Sequence, residues 1–335
     1  MNLTWQRTKS LTFLVAPFFL WGTSMVAMKA VIGDSSPLFM AGFRLVPAGI
    51  LLLIVTLWQK RQQPNDLRAW LWIVLFALVD GTMFQGFLAE GLNRTDAGLG
   101  SVIIDSQPLA VALMSSWLFG EVIGLWGILG LSLGIVGISI IGLPEQWLDS
   151  LWQRNWADLV PSWSGFFGSG EMLMLFASLS MAVGTILIRY VCLHSDPVVA
   201  TGWHMIIGGI PLFVSSAYLE NEQWVNITKQ GWLSLGYSAI FGSAIAYGLF
   251  FYLASLGNLT SLSSLTFLTP VFALSFGNFF LSEYLTTLQW CGVSLTIVSI
   301  YLINQRENMN RQIVSFYSFF AKLINLQKQS VDSNF

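Results

Sequence analysis

The sequence predicts an all-α membrane protein with ten transmembrane helices in two inverted five-helix repeats around a central cavity. Three observations support this fold class: the composition, the number of long apolar segments and an internal repeat. Of the 335 residues, 55% are hydrophobic and 10% are charged, whereas a soluble chain carries about a quarter charged residues. So few charges cannot cover a surface that faces water, and we expect the chain to be integral to a membrane.

Ten apolar segments are long enough to cross a bilayer as helices, which takes about 20 residues for about 30 Å of hydrocarbon. They cover residues 11–32, 38–58, 70–90, 98–119, 123–143, 170–191, 198–219, 231–253, 261–281 and 288–304. The first exceeds the apolar core of a signal peptide and is expected to be retained. Ten Lys and Arg residues fall on the side of the N-terminus and three on the other side. Both termini are therefore predicted to be cytoplasmic, with the cell membrane as the expected location.

Two segments outside these runs have patterns of their own. Residues 144–169 hold four tryptophans among apolar residues, which predicts a Trp-rich external linker that tethers two halves, or alternatively an external gate. Residues 305–335 form a cytoplasmic tail with apolar side chains at helical spacing beside Lys and Arg. This pattern is typical of an interfacial amphipathic helix, with a disordered tail as the alternative.

The chain repeats itself. In the fourth and ninth segments Pro108 matches Pro270 and Glu121 matches Glu283, both at a separation of 162 residues. Nearer the start of each half the separation is 160 residues, and the matches include Lys29 with Arg189, Pro37 with Pro197, Arg44 with His204, and Gly49 with Gly209. An internal repeat of this length indicates two structural units of five helices each.

Five is an odd number, so the second unit enters the membrane from the opposite side. The predicted units are an N-terminal repeat, residues 1–143, and an inverted C-terminal repeat, residues 170–304. Inverted repeats are the usual architecture of transporters that expose a central site to each side of the membrane in turn. The symmetry therefore favours transport as the function.

Two motifs in the first half carry a family resemblance: WGTSMVAMK at residues 21–29 and FRLVPAG at residues 43–49. Together with the duplication and the matched fourth and ninth segments, they resemble the EamA-type branch of the drug/metabolite transporter superfamily. The resemblance implies two five-helix repeats around a central cavity and transport of small metabolites, most often outward and often coupled to protons. His204 departs from the repeat, because the first half has Arg44 at the matching position.

Ionisable groups inside a bilayer cost about 2.5–3.5 kcal/mol each and are expected to face the protein interior in pairs. The first half holds Lys29, Arg44, Asp80 and Asp105, which could neutralise one another without any ligand. Alternatively, one partner is exchanged for substrate during transport. Arg44 would then receive an anionic group, because a guanidinium matches a carboxylate or phosphate.

A carboxyl group in a low-dielectric site is suited to carry a coupling proton. We favour Asp105, because Gln107 and Pro108 follow it and the proline frees a backbone carbonyl at that depth. Asp80, next to Gly81, is the competing candidate. His204 is a third candidate, since histidine titrates near neutral pH.

Pro108 and Pro270 are expected to kink their helices and to act as hinges, leaving the carbonyl of Ile104 or Thr266 free. Glu121 and Glu283 are expected to end these helices in local ion pairs rather than bind substrate. Trp21, Gln85 and Tyr247 are expected to line the cavity, together with Phe84, Trp203, Phe251, Phe267 and Asn278. Glycines at three- and four-residue spacing in the fifth segment predict close helix packing, within the bundle or in a homodimer.

Other functional classes find little support. A net charge of −2 offers no basic face for nucleic acid. Two cysteines and two histidines are too few for a metal site, and no cofactor motif or hydrolase motif occurs. We therefore predict no cofactor, no catalytic residue and no enzymatic activity. The prediction is a secondary active transporter in the lipid bilayer that exports an amino-acid-like or drug-like small molecule, coupled to protons. The alternative is a non-transporting membrane scaffold or interaction protein.

Overall fold

The computed structural model describes residues 11–29, 31, 33–94, 103–142, 169–281, 286–288, 290–307 and 309. These residues fold as helices joined by short connections, and no strand occurs among them. The helices are α1 (Leu11–Lys29), α2 (Pro37–Trp58), α3 (Leu67–Leu92), α4 (Gln107–Phe119), α5 (Gly124–Gly142), α6 (Gly170–Val191), α7 (Pro197–Leu219), α8 (Lys229–Leu256), α9 (Leu259–Leu281) and α10 (290–307).

Five of these helices, α2, α3, α6, α7 and α8, are long and apolar enough to cross a membrane. They have 22 to 28 residues and mean hydropathies of 1.6 to 2.3. Shorter apolar helices of 10–17 residues lie within α1, α4, α5 and α9. The composition and segment lengths thus predicted an all-helical protein correctly. Most helix ends differ from the predicted limits by a few residues, but α4 begins at Gln107 rather than at residue 98. The described residues do not include Glu283, almost all of the predicted linker or most of the predicted tail.

Several helices begin where a polar side chain accepts hydrogen bonds from the free backbone N–H groups of the first turn. Asp196 accepts from Val198 N at 2.9 Å and from Val199 N at 3.1 Å at the start of α7. Thr228 and Asn258 act in the same way on α8 and α9. These caps satisfy donors that the helix itself leaves unpaired, so they fix where each helix starts.

The two prolines of the repeat lie next to interruptions of their helices. Pro108 lies in the first turn of α4, where a proline costs no hydrogen bond. Asp105 lies in the turn before α4, not two helical turns into a continuous span. Pro270 follows the 3₁₀ turn Leu265–Phe267 inside α9. Both helices are interrupted just before the proline, because a proline has no N–H to donate to the carbonyl four residues back and its ring clashes with that carbonyl.

A π-helical segment interrupts α3 at Ala77–Phe84 and α8 at Ser238–Ile245. Each segment has 8 residues, and the two occupy matching places in the two halves of the chain. π-helical turns are rare and often lie at functional sites, since they widen the helix and redirect its side chains. The segment in α3 contains Asp80.

Helices α2 and α7 pack against each other with reciprocal contacts. Gly49 packs so closely on Met205 that a methyl group at position 49 would lie 2.9 Å from the Met205 Cβ atom. In the second half, a methyl group at Gly209 would lie 3.1 Å from the Leu45 Cβ atom. Two further sets of contacts are related in the same way. Gly42 contacts Phe213 as Gly202 contacts Leu53, and Gly86 contacts Leu212 as Gly248 contacts Leu52.

The glycine-rich face of α5 packs against α10 of the same chain. Ser299 donates to the Gly130 carbonyl over 2.6 Å, and a methyl group at Gly137 would lie 2.6 Å from the Thr296 hydroxyl. Close approach of this kind needs residues without side chains. The glycine face of α5 therefore packs against another helix of the same bundle.

Candidate functional site

Tyr247 of α8 lies at the centre of a buried polar cluster. Gln85 of α3 and Tyr247 form a hydrogen bond of 2.7 Å between Nε2 and Oη, and the two residues are 162 positions apart in the sequence. The ring of Trp21 packs edge-on against Tyr247 with 5.1 Å between ring centroids. Tyr247 also interacts electrostatically with Asp80 and Arg44.

We call this group the Tyr247 cluster. It comprises Trp21, Arg44, Asp80, Gln85, His204 and Tyr247. All of these residues were candidates from the sequence, and they come from α1, α2, α3, α7 and α8. Arg44 and His204, and likewise Gln85 and Tyr247, occupy matching places in the two repeats, but the contact between Asp80 and His204 was not predictable from spacing.

Asp80 and His204 form a fully buried pair. The distance between Asp80 Oδ2 and His204 Nε2 is 3.0 Å, and both side chains are 0% exposed. The other imidazole nitrogen, Nδ1, lies 2.9 Å from the Thr201 carbonyl oxygen. Phe76 stacks on the imidazole with 4.2 Å between ring centroids. The ring of His204 is thus held on both edges and one face.

This geometry fixes the number of protons in the pair. A backbone carbonyl only accepts hydrogen bonds, so Nδ1 of His204 carries the proton in the contact with Thr201. The contact between Nε2 and Oδ2 then needs one further proton, on either the imidazole or the carboxyl group. In both cases the Asp80–His204 pair is neutral overall and holds one proton that can be transferred.

The π-helical segment and a glycine together make room for Asp80. Its carboxyl group lies directly against Gly184 of α6, where a methyl group would collide with Oδ1. Oδ1 itself is buried and has no hydrogen-bond partner within the described parts of the chain. Sequence analysis missed Gly184 and Thr201, because nothing in a single sequence marks a glycine or a threonine as the neighbour of a distant side chain.

Arg44 has no ion pair among the described residues. It lies in α2 and is half-buried, and its buried Nε atom makes no hydrogen bond to the residues that the structure describes. The sequence suggested that Arg44 and the acidic residues of the first half could neutralise one another. Asp80 instead pairs with His204 of the second half, which leaves Arg44 without that partner.

Asp105 lies apart from the hydrogen bonds of the Tyr247 cluster. It is buried in the turn before α4, and the neighbouring Gln107 donates to the Thr185 hydroxyl over 3.2 Å. The Ile104 carbonyl accepts a hydrogen bond of 3.4 Å from Ser178. The preferred proton carrier from the sequence therefore takes no part in the hydrogen bond between Asp80 and His204.

Glu121 connects three helix ends. Its carboxylate accepts from Leu259 N at 3.0 Å and Thr260 N at 3.2 Å at the start of α9. It also pairs with Arg189 at the end of α6 over 3.4 Å, and Arg189 donates to the Gly257 carbonyl. This is the arrangement of a residue that locks helix ends together.

Glu220 lies directly after the end of α7 and caps the start of α2. It accepts from Leu38 N at 2.8 Å and from Phe39 N at 3.1 Å, and Ser36 donates to it over 2.6 Å. Both ends of the bundle therefore use a carboxylate to hold the start of a neighbouring helix.

Two grooves open on the sides of the bundle. One, of ≈ 450 Å³, lies between α3 and α6 and includes Val79 and Leu179. The other, of ≈ 610 Å³, lies among α1, α8 and α9 and includes Phe19 and Tyr237. Neither is lined by the Tyr247 cluster. Across the residues with described positions, no group of three His, Cys, Asp or Glu side chains could hold a metal ion.

The family model of the EamA-like transporter family matches the chain twice, over residues 8–143 and 168–305. The chain belongs to the EamA-like transporter family. It is accordingly a transporter and an integral, multi-pass membrane protein.

Relatives of the chain have names that agree with this family. An "uncharacterized transporter" of Synechocystis is 62% identical over 92% of this chain and 94% of its own length. A chloroplastic "WAT1-related protein" of Arabidopsis thaliana is 49% identical over 88% of this chain and 69% of its own length. A "probable amino-acid metabolite efflux pump" of Escherichia coli is 27% identical over 84% of this chain and 90% of its own length.

A solved crystal structure has the same fold. It aligns with a TM-score of 0.71 at 14% sequence identity and covers 87% of this chain and 94% of its own chain. At that identity the likeness concerns the fold alone.

Proposed function

We propose that the chain is a secondary active transporter that exports a small metabolite, amino-acid-like or drug-like, by alternating access. In this proposal it lies in the cell membrane with both termini in the cytoplasm. The observation that carries the proposal is the Asp80–His204 pair, because a buried, neutral pair with one transferable proton suits coupling to a proton gradient. Outward transport agrees with the efflux pump among the relatives.

The architecture that we propose is ten transmembrane helices in two inverted five-helix repeats, residues 1–143 and 170–304, around a central site. Reciprocal contacts such as Gly49–Met205 and Gly209–Leu45 support it, because a two-fold axis makes each contact occur twice with the partners exchanged. The double match of the family model supports it as well. When such repeats exchange their conformations, the site changes the side to which it is open.

The contacts at helix ends support the proposed up-and-down path of the chain, and they would form in either orientation in the membrane. Arg61 and Asp196, both predicted to be cytoplasmic, form an ion pair of 3.1 Å. Ser36 and Glu220, both predicted to be external, form a hydrogen bond of 2.6 Å. Groups assigned to the same side of the membrane thus meet, as an alternating path of the chain requires.

In the proposed cycle the shared proton leaves or enters when water reaches the pair from one side. Without that proton, Nε2 of His204 would present a lone pair to a carboxylate oxygen of Asp80 in a dry site, which is costly. Loss of the proton therefore favours separation of α3 and α7. This links the protonation of the pair to the packing of two helices from opposite repeats.

The test is transport in proteoliposomes of a pooled metabolite set, driven by a pH gradient or a membrane potential and measured by mass spectrometry. We compare the wild type with Asp80→Asn, His204→Gln and Asp105→Asn. The wild type and Asp105→Asn should accumulate substrate under the pH gradient. Asp80→Asn and His204→Gln should lose accumulation but keep exchange of substrate across the membrane, because they lose the transferable proton and not the binding site.

Loss of accumulation in Asp105→Asn alone would assign the coupling proton to Asp105. If no compound moves in the wild type under either gradient, the proposed carrier function is wrong, and a scaffold role would explain the chain better.

A further inference from the structure

The Tyr247 cluster presents more hydrogen-bond donors than acceptors. Trp21 Nε1 and Arg44 Nε are buried and have no hydrogen-bond partner in the described chain. An indole nitrogen and a guanidinium nitrogen can only donate. Buried donors are rarely left unpaired in folded proteins. An unpaired acceptor of the same cluster, Asp80 Oδ1, bonds to neither atom, so both donors lack an acceptor among the described residues.

The Gln85–Tyr247 hydrogen bond adds a third donor, whichever way the Gln85 amide is oriented. If the amide nitrogen donates to the Tyr247 oxygen, the phenol O–H remains free to donate. If the amide is flipped, the phenol donates to the amide oxygen and the Gln85 NH₂ group remains free. In both orientations one donor is left over in the centre of the cluster.

The cluster also carries a positive charge that the described carboxylates do not balance. Asp80 and His204 form a pair that is neutral overall, and Glu121 and Glu220 hold helix ends elsewhere. Arg44 forms no ion pair with Asp80, Glu121 or Glu220 in the described chain and remains charged at physiological pH, because a guanidinium does not lose its proton in proteins. A cation at this depth is costly, so its retention indicates a role for its charge.

We propose that the Tyr247 cluster binds an organic anion, whose carboxylate or phosphate group accepts hydrogen bonds from Arg44, Trp21 and the Gln85–Tyr247 pair. This inference rests on the proposed transport function and specifies its substrate class. The guanidinium supplies charge and a planar fork, which suits an oxyanion. Charge recognition thus comes from Arg44 alone, while the neutral Asp80–His204 pair carries the proton.

The surroundings of Trp21 favour an anion with an apolar body. The rings of Phe18 and Phe250 pack against Trp21 with centroid distances of 5.7 and 5.1 Å, and both phenylalanines are fully buried. A site with apolar walls and a few convergent polar groups is the usual form of a pocket for a small organic molecule. An anion that carries an aromatic or aliphatic group suits such surroundings better than an inorganic anion does.

The test measures binding to purified protein in detergent through the midpoint of thermal unfolding. The probes form two sets, and each set carries a carboxylate, an amide, an amine and a phosphate on one kind of apolar body. The aromatic set is phenylacetate, phenylacetamide, phenethylamine and phenyl phosphate. The aliphatic set is hexanoate, hexanamide, hexylamine and hexyl phosphate. The proteins are the wild type, Arg44→Gln, Arg44→Lys and, as a matched control, Arg94→Gln. Arg94 is 52% exposed and pairs with Glu90 near the end of α3, away from the cluster.

We expect a carboxylate or phosphate probe to raise the unfolding midpoint of the wild type and of Arg94→Gln, while the amides and amines do not. Arg44→Gln should bind the anion about 10- to 100-fold more weakly, because it loses charged hydrogen bonds. Arg44→Lys should retain part of the affinity, since it keeps the charge without the fork. The two anionic head groups distinguish carboxylate from phosphate recognition.

The proposal is wrong if amides or amines stabilise the wild type as much as the anions do. It is also wrong if no anionic probe stabilises the wild type, or if the stabilisation persists in Arg44→Gln. Proteoliposomes separate this result from the proposed function. Gradient-driven movement of neutral or cationic compounds alone overturns the anion specificity and leaves the carrier, whereas anion binding without any transport overturns the carrier and leaves the site.

Discussion

Asp80 can lie inside the bundle because two neighbouring residues accommodate it. Gly184 leaves space for the carboxyl group, and His204 accepts or donates the proton that keeps the pair neutral. A single added methyl group on α6 would remove that space. At the scale of one residue, the geometry of the proton site thus depends on a glycine that carries no chemistry of its own.

The substitution Gly184→Ala should therefore lower the free energy of unfolding by about 1–3 kcal/mol, as overpacking of a close contact does. The matched control is Gly236→Ala in α8, where no atom lies within 4 Å of the added methyl group. There alanine should be neutral or stabilising by up to about 1 kcal/mol, because it favours the helix. Thermal unfolding of both variants in detergent measures the difference. Equal effects of the two alanines would contradict the close contact.

At the scale of the helix, the ends of the elements carry the strongest polar contacts. The end of α4, the end of α6 and the start of α9 meet at Glu121. Gly120 in the left-handed conformation (φ 65°) ends α4 and directs the chain to this point. Glu121 itself is largely buried, with 8% of its side chain exposed, so its charge depends on these partners.

Glu121→Gln should destabilise the protein by about 1.5–3 kcal/mol, because a neutral amide replaces a buried carboxylate that accepts several hydrogen bonds. The control is Glu90→Gln, which removes an exposed pair with Arg94 and should change the free energy of unfolding by at most about 1 kcal/mol. Unfolding midpoints of the two variants check the prediction. A neutral effect of Glu121→Gln would mean that Glu121 does not hold the helix ends in the membrane.

At the scale of the whole molecule, two native cysteines report on orientation. Cys291 is exposed near the start of α10, and Cys192 is half-buried just after the end of α6. The proposed orientation places the first on the outer side and the second on the cytoplasmic side. Burial, together with the charge of Asp196, raises the pKa of the Cys192 thiol to about 12.

A membrane-impermeant maleimide should label the Cys192→Ala variant in intact cells through Cys291. The Cys291→Ala variant should react only after the cells are permeabilised. Its reaction should be slow at neutral pH and should accelerate about tenfold per pH unit up to the raised pKa, because the thiolate is the reactive form. Labelling of Cys192 from outside would overturn the orientation.

Some of this architecture could be predicted from the sequence. The apolar runs identified the helices, and the repeat assigned Arg44 and His204 to equivalent positions of the two halves. Burial of Gln85 and Tyr247 also follows from their place in apolar segments. These features depend on local composition and on repeat spacing, and both can be recognised in a single sequence.

Other features depend on contacts that one sequence does not display. Asp80 and His204 are 124 positions apart, and no periodicity relates them. The sequence did not predict the π-helical segments, because the pattern of apolar residues does not distinguish a widened turn from ordinary α-helix. Pro108 was interpreted as a kink because residues 98–119 were predicted to form one continuous span, whereas the helix α4 begins only at Gln107.

The differences between the two halves have a consequence for ancestry. At the position that matches Asp80 stands Gly242, His204 takes the place of Arg44, and Tyr247 takes the place of Gln85. A dimer of identical five-helix chains would carry the same residue at both matching positions. Because Asp80 contacts position 204, such a dimer would pair an aspartate with an arginine at that contact, and its two-fold axis would repeat the ion pair. The fused chain instead has one aspartate beside a histidine and one arginine without an acidic partner, so a site of this kind requires two halves whose sequences have diverged.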